Sequence, residues 1–313
     1  MLYAVYLPLL LPLLATWGAR LLATRCEPRL ATWLLTLSSV VLGAASTLCL
    51  GLLAATAVIR IPLFAQLGHW SARSAQLDDP TELSVALLAA LLVGGAALAG
   101  MRMVARRTRA IVAAAVEAAC MPAHNGLVVV EDAAPDAFAV PGLPGRIVVS
   151  TGMLDTLEAG EHDILLAHER AHLAAQHHLF VAFAQLGATV NPFLRPLATT
   201  VTYTIERWAD ERAAETTGDR TCVARAVGKA ALATRHTPAR TPGATLGVLG
   251  PRRRNPLAAA GPVPRRVAAL LAPPLTRHPG LTLATGAVLA ATTWASAEAV
   301  HDLHLLLTAV GAG

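Results

Sequence analysis

The chain has 313 residues, of which 55% are hydrophobic and only 14% charged. An average soluble protein carries about 25% charged residues, so an ordinary soluble enzyme is excluded. The net charge of +5 comes from 24 Arg and one Lys, and the four cysteines form no CxxC pair that would mark a structural zinc knuckle.

Residues 2–19, about 31–59, 83–101 and 281–297 are long runs without Asp, Glu, Lys or Arg. A membrane-spanning helix needs about 20 such residues, so four spans are predicted. Pro8 and Pro12 are tolerated in the first. It is read as a span rather than a cleaved leader, because no Lys or Arg precedes Arg20. Arg20, Arg25 and Arg29 follow the first span, and Arg102, Arg106, Arg107 and Arg109 follow the third. The 60–82 segment sets Arg60 and Arg73 against Asp78, Asp79 and Glu82. Basic residues collect on the cytoplasmic side. The N-terminus and the 60–82 loop are therefore expected outside, and 102–279 in the cytoplasm. The tail after the fourth span holds His301, Asp302 and His304 but no Lys or Arg, and is expected outside. The chain divides on this reading into spans one to three (1–109), a cytoplasmic domain (110–279), and the fourth span with its tail (280–313).

Within the cytoplasmic segment, Ala110–Cys120 has helical periodicity. Gly126–Val130, Ala137–Val140 and Arg146–Ser150 are short apolar runs divided by Pro135, Pro141-Gly142 and Pro144-Gly145. They predict a small antiparallel sheet. A helical stretch begins at Thr151–Leu157, and Glu161–Leu186 reads as one long buried helix. The charged residues of that helix argue against placing it in the bilayer. After Asn191-Pro192 a further helix covers Thr199–Thr217. Residues 236–265, rich in Pro, Gly and Arg, read as a loop or lid, followed by a short amphipathic piece at Val267–Leu271. Arg252–Arg254 and Arg265–Arg266 lie near a span and lack interleaved aromatics. A solvated face against the membrane is expected of them, and direct nucleic-acid binding is not.

The motif His168-Glu169-Arg170-Ala171-His172 carries the chemistry. Histidines four apart share one helical face, within reach of one zinc ion, and Glu169 between them is placed to activate water. A catalytic zinc wants a third protein ligand and an open position. Glu206, 34 residues after His172, stands in the pattern Glu206-Arg-Trp-Ala-Asp210 and is the natural candidate. Its competing reading is a surface acid paired with Arg207 or Arg212. Asp210, one turn later, would hold the other nitrogen of a ligand histidine. His177 and His178 read as ordinary polar positions, and Cys120 and Cys222 as core residues.

The motif, with Asn191-Pro192-Phe193, Glu206-Arg-Trp-Ala-Asp210, Asp136-Ala-Phe-Ala-Val-Pro-Gly142 and Ile147-Val-Val-Ser-Thr-Gly-Met-Leu154, resembles the M56 peptidase family and, in part, the related M48 peptidases. The three-plus-one order of spans favours M56. The resemblance implies a multi-pass α-helical membrane protein with four spans and a cytoplasmic α+β zinc metallopeptidase domain of gluzincin type. The metal ligands are then His168, His172 and Glu206, the catalytic base Glu169, the outer partner Asp210, and the cofactor one Zn2+ ion. Family members known best sense β-lactams through an external C-terminal domain and act on a cytoplasmic transcriptional repressor. The sequence given ends at Gly313, so no antibiotic sensor is expected. The expected activity is zinc-dependent endopeptidase cleavage of a protein or peptide substrate, in regulated proteolysis of a cytoplasmic regulator or repressor. The alternatives are an M48-type membrane quality-control protease and a non-enzymatic signal-transducing protein with a degenerate protease domain. A peptide substrate is expected to pair with an edge strand beside the metal, either Ala137–Val140 or Ile147–Ser150.

Overall fold

The structure is a computed structural model and describes residues 2–60, 83–236 and 262–311. The expected 60–82 loop beyond Arg60 lies outside the described residues. So does the expected 236–265 loop between His236 and Pro262, with Arg252–Arg254 inside it.

Helix α1 (Leu2–Leu10), a 3-10 turn (Leu11–Leu14) and α2 (Ala15–Arg25) make the first apolar rod. Helix α3 (Pro28–Arg60) opens on a proline, whose fixed φ suits a first helical turn. Helix α4 (Leu83–Cys120) has 38 residues and measures about 57 Å at 1.5 Å per residue. It runs unbroken through residue 109, where the composition changes from apolar to mixed. Three stretches among the described residues are long and apolar enough to cross a membrane: Tyr6–Arg25, Pro28–Ala55 and Ser84–Cys120. The fourth expected span forms a 33-residue helix, α11 (Pro279–Gly311). It is not among the three, because Thr282, Thr285, Thr292, Thr293, Ser296 and Glu298 dilute its apolar character.

Beyond α4 come β1 (Leu127–Val130), β2 (Ala137–Val140) and β3 (Arg146–Ser150), in sheet order β1-β3-β2. The expected antiparallel sheet is in fact mixed. β2 pairs antiparallel with β3, but β1 pairs parallel, Leu127 opposite Ile147 and Val130 opposite Ser150. The reason is the position of β3: it lies between the other two, so the 131–136 connection must carry the chain past it. β3 is therefore no edge, which removes Ile147–Ser150 as a docking strand; β2 is an edge. One face of the sheet packs Val128, Val140 and Val148 on Ala114 and Ala118 of α4.

Helix α5 (Thr151–Thr156) is capped by the Ser150 hydroxyl, which accepts from Met153 N. Helix α6 (Ala159–Ala174) starts on a Glu158/Glu161 capping box, and Lys229 Nζ donates to both carboxylates at 2.7 and 2.8 Å. The expected single helix Glu161–Leu186 is broken. Gln176 adopts a left-handed conformation, with φ 50°, and α7 (His177–Val190) sets off in a new direction. Asn191 then accepts from Phe193 N, turning the chain into α8 (Arg195–Thr217). Helices α9 (Arg220–His236), α10 (Pro262–Leu271) and α11 (Pro279–Gly311) complete the chain. α11 packs Ala299 and Leu303 on Cys49, Leu52 and Leu53 of α3.

The pair α7–α8 packs directly on α2 and α3. Phe180, Val181, Ala184, Leu197, Val201 and Ile205 share one core with Ala19 and Leu22 of α2 and Leu35 and Leu42 of α3. Helix α7 lies so close to α3 that a Cβ on Gly187 would stand 2.4 Å from the Ser39 carbonyl oxygen. Hydroxyl and amide groups bond across this interface. Ser39 Oγ donates to Ala184 O at 3.0 Å, Asn191 Nδ2 to Ser46 Oγ at 3.0 Å, and Thr32 Oγ1 to Thr204 Oγ1 at 2.9 Å. Small residues with interhelical hydrogen bonds are how helices associate where no water drives them together. The contacts run from Thr32 to Ser46, so the hairpin follows α3 for about 21 Å of its length. Arg107 of α4 ties into the same hairpin, donating to Gln185 Oε1 at 2.6 Å and to the His178 carbonyl at 3.1 Å.

Candidate metal centre

Helix α6 places His168, Glu169 and His172 toward α8, which brings Glu206 and Asp210 to the same space. His168 Nε2 and His172 Nε2 are 3.1 Å apart. Glu206 Oε2 is 3.8 Å from the first and Glu206 Oε1 is 3.6 Å from the second. One ligand atom from each of the three residues falls within 4.8 Å of the others, so this group could bind a metal. Donors held about 2.0–2.1 Å from a tetrahedral ion stand roughly 3.3 Å apart. The three separations bracket that figure, and two imidazoles with one carboxylate are a donor set that suits zinc. The group therefore fits the expected ion.

Asp210 Oδ1 lies 3.1 Å from His168 Nδ1, where it is placed to accept a ring proton, and Nε2 is the atom that faces the cluster. Asp210 is fully buried. A charge there needs partners, and Arg266 supplies them. Its Nε and Nη2 donate to the two Asp210 oxygens at 2.8 and 2.6 Å, and its Nη1 lies 2.8 Å from Glu206 Oε2. This overturns the solvated-face reading of Arg265–Arg266 for the second arginine, whose side chain is 12% exposed. Arg265 instead stacks over the Tyr203 ring, 4.5 Å from its centroid. The physical reason is the start of α10. Pro262 opens a helix in which Arg266 and Leu270 lie four apart on one face, and Leu270 is buried in the core of α6, α8 and α9. That spacing was the available signal for Arg266, masked by its neighbouring arginine.

The electrostatics follow from these contacts. Burial pushes the Glu169 carboxyl up to about 7, with the negative charges of Glu206 and Asp136 adding to it. Burial pushes His172 down to about 4, so its ring is neutral at ordinary pH. Burial works against the charged form of His168 as well, but the Asp210 hydrogen bond and charge outweigh it and hold the pKa above the usual value. For Glu206 and Asp210, burial would raise the pKa, and Arg266 beside them lowers both. Glu206, Asp210 and Arg266 leave one net negative charge, to which a dication adds favourably.

His177 departs furthest from expectation. It is 2% exposed rather than an ordinary polar position. Its Nδ1 lies 2.9 Å from His172 Nδ1, and its Nε2 is buried with no hydrogen-bond partner among the described residues. Asp136, just before β2, is a further residue missed by the sequence reading; its charge reaches Glu169. A cavity of about 800 Å3 opens on the opposite side of α6, against Trp33, Phe180 and Trp208. None of the cluster residues lines it, so the site is defined by its donors rather than by this hollow.

Comparison with known proteins locates a family segment on this geometry. The model described as Peptidase family M48 matches residues 102–195, which run from the second half of α4 through the sheet, α6 and α7. The match falls on M48 rather than on M56. A plastoglobule-localized metallopeptidase 48, chloroplastic, of Arabidopsis thaliana is 38% identical over 92 residues. The shared stretch is 28% of this chain and 26% of that relative, so the chain spans about a quarter of the relative's length. No solved structure matches. The M48 segment and this relative support a metallopeptidase, and the apolar helices are consistent with membrane association.

Proposed function

We propose that the chain is a membrane-embedded zinc-dependent endopeptidase that hydrolyses peptide bonds at the cytoplasmic face of a four-span bundle. One observation carries this reading: the nitrogens of His168 and His172 and the carboxylate of Glu206 converge beside a buried Glu169 whose pKa is about 7. His168, His172 and Glu206 would hold one Zn2+ ion. Bound there, zinc supplies Lewis acidity toward the scissile carbonyl and makes a water easier to deprotonate. Glu169 takes the proton from the attacking water and delivers it to the leaving nitrogen; a base with a pKa near the working pH can do both. Asp210 fixes the His168 ring, and Arg266 keeps Asp210 and Glu206 charged and aimed. The β2 edge, beside α6, is where an extended peptide would add as a further strand.

Regulated proteolysis of a cytoplasmic regulator or repressor is the role suggested by the three-plus-one arrangement of M56 peptidases, with α11 as the fourth span. The M48 match favours the second reading, a membrane quality-control protease. A degenerate signalling scaffold has less support, since such a protein needs no buried carboxylate at position 169. The deciding experiment compares Glu169→Gln with wild type in cells and after purification. The expected result is equal zinc content with cleavage reduced about 10²–10⁴-fold, the usual contribution of a general base. Undiminished cleavage, or wild-type protein without zinc, would overturn the enzyme reading. One or a few proteins accumulating in the Glu169→Gln cells support regulated proteolysis, and many unrelated unfolded proteins support quality control.

A further inference from the structure

In an unbroken helix, position 177 would stand about 140° around the axis from position 172. The left-handed Gln176 redirects the chain and brings the two rings together, with their Nδ1 atoms 2.9 Å apart. A neutral imidazole carries one proton, so one of these nitrogens donates and the other accepts. If His177 donates, His172 carries its own proton on Nε2, pointing at His168 Nε2 3.1 Å away, and cannot ligate through that atom. If His172 donates, its Nε2 is a bare lone pair and ligation is open.

The surroundings of His177 favour the second arrangement. Its Nε2 has no hydrogen-bond partner among the described residues. Its ring is enclosed by Trp208, with centroids 4.6 Å apart and planes tilted 56°, and by Phe180 at 6.5 Å. An N–H buried among aromatic rings finds weak acceptance on a π face, whereas a bare lone pair is repelled by it. A proton on His177 Nε2 leaves His177 Nδ1 as the acceptor.

We propose that His177 is a positioning residue that sets the tautomer of His172, accepting its Nδ1 proton so that Nε2 is free to hold the metal. Trp208 in turn sets His177. The inference rests on the metal-site reading above. Moving between the two arrangements takes one proton from His172 Nε2 and adds one to His177 Nε2, with the shared proton crossing the 2.9 Å contact, so the pair keeps its charge.

The test uses the full chain in lipid nanodiscs, titrated with Zn2+ against a chromophoric chelator, for wild type, His177→Phe and His177→Gln. Removing the acceptor in His177→Phe should weaken zinc binding about 10- to 100-fold. In His177→Gln the amide oxygen can accept the same proton, and affinity should return most of the way. Nitrogen-15 spectra of the zinc-loaded wild type should show His172 protonated at Nδ1 and His177 at Nε2, a measurement that holds even if His177→Phe misfolds. Wild-type affinity in a folded His177→Phe, or a proton on His177 Nδ1 in the loaded protein, would overturn the proposal while leaving the metal site standing. A wild type that binds no zinc would overturn the metal-site reading first.

Discussion

Helices α6 and α7 are neighbours in sequence, separated by Ala175 and Gln176, yet they bury opposite kinds of surface. α6 buries Glu161 and Glu169 and half-buries His162, His168 and His172, and charged partners surround them: Lys229 at Glu161, Asp210 at His168, and Arg266 bracing Asp210 and Glu206. α7 buries Phe180, Val181, Ala184 and Gly187 against α3, and answers the few polar atoms there with hydroxyls. In α6, geometry is held by strong, partnered electrostatics, which can be lost without unfolding the chain. In α7, geometry is held by close steric fit, where an added atom does the damage.

Substitutions that touch one helix and spare the other can break or sharpen this contrast. The largest effect is expected from Glu206→Ala. Zinc affinity should fall by more than the roughly 100-fold that marks the upper range for an outer partner, while the melting temperature stays close to wild type. Unchanged zinc binding would reassign the third ligand. Asp210→Ala should come next, because it leaves Arg266 buried with Glu206 alone. A loss of stability near the lower end of about 3–5 kcal/mol is expected in denaturant titrations, together with weaker zinc binding; a neutral result would mean that Arg266 finds water. Gly187→Ala should cost about 1–3 kcal/mol through overpacking against Ser39, yet the protein that remains folded should bind zinc normally. Zinc loss in proportion to that destabilisation would show that α6 and α7 are one unit. The smallest effect is in pH. Glu169 acts as a base only when unprotonated, so peptidase activity should fall about tenfold per pH unit below its pKa. That limb should lie at or below about 7, since a bound dication favours the charged form, and the stability of the α7–α3 packing should not follow it. A flat rate from pH 5 to 8 would remove Glu169 from the role.

The two halves were not equally legible in the sequence. His168, Glu169, His172, Glu206 and Asp210 stand at helical spacings that local geometry translates directly into shared faces, and the structure brings all five together. The three β runs were legible as strands, but not their mixed pairing, because register between strands is a long-range property. The break at Gln176 was hidden because a left-handed residue other than glycine leaves no compositional mark. The role of α7 was hidden with it: at 14 residues it is too short to read as a span, and only its fit to α3 shows where it lies. Arg266 was missed because its meaning comes from residues 56 and 60 positions earlier, not from its neighbours.

Helix α4 is also a mechanical element. After Gly100 it contains neither Gly nor Pro as far as Cys120, and those are the residues at which helices bend. Its apolar half lies among the other long helices, and its far half carries the sheet on Ala114 and Ala118. The two ends are therefore rigidly joined, as the arms of a lever are. A tilt of about 5° in the apolar half would swing the far end, some 30 Å beyond Gly100, by about 2.5 Å. That is more than half the spacing between paired strands.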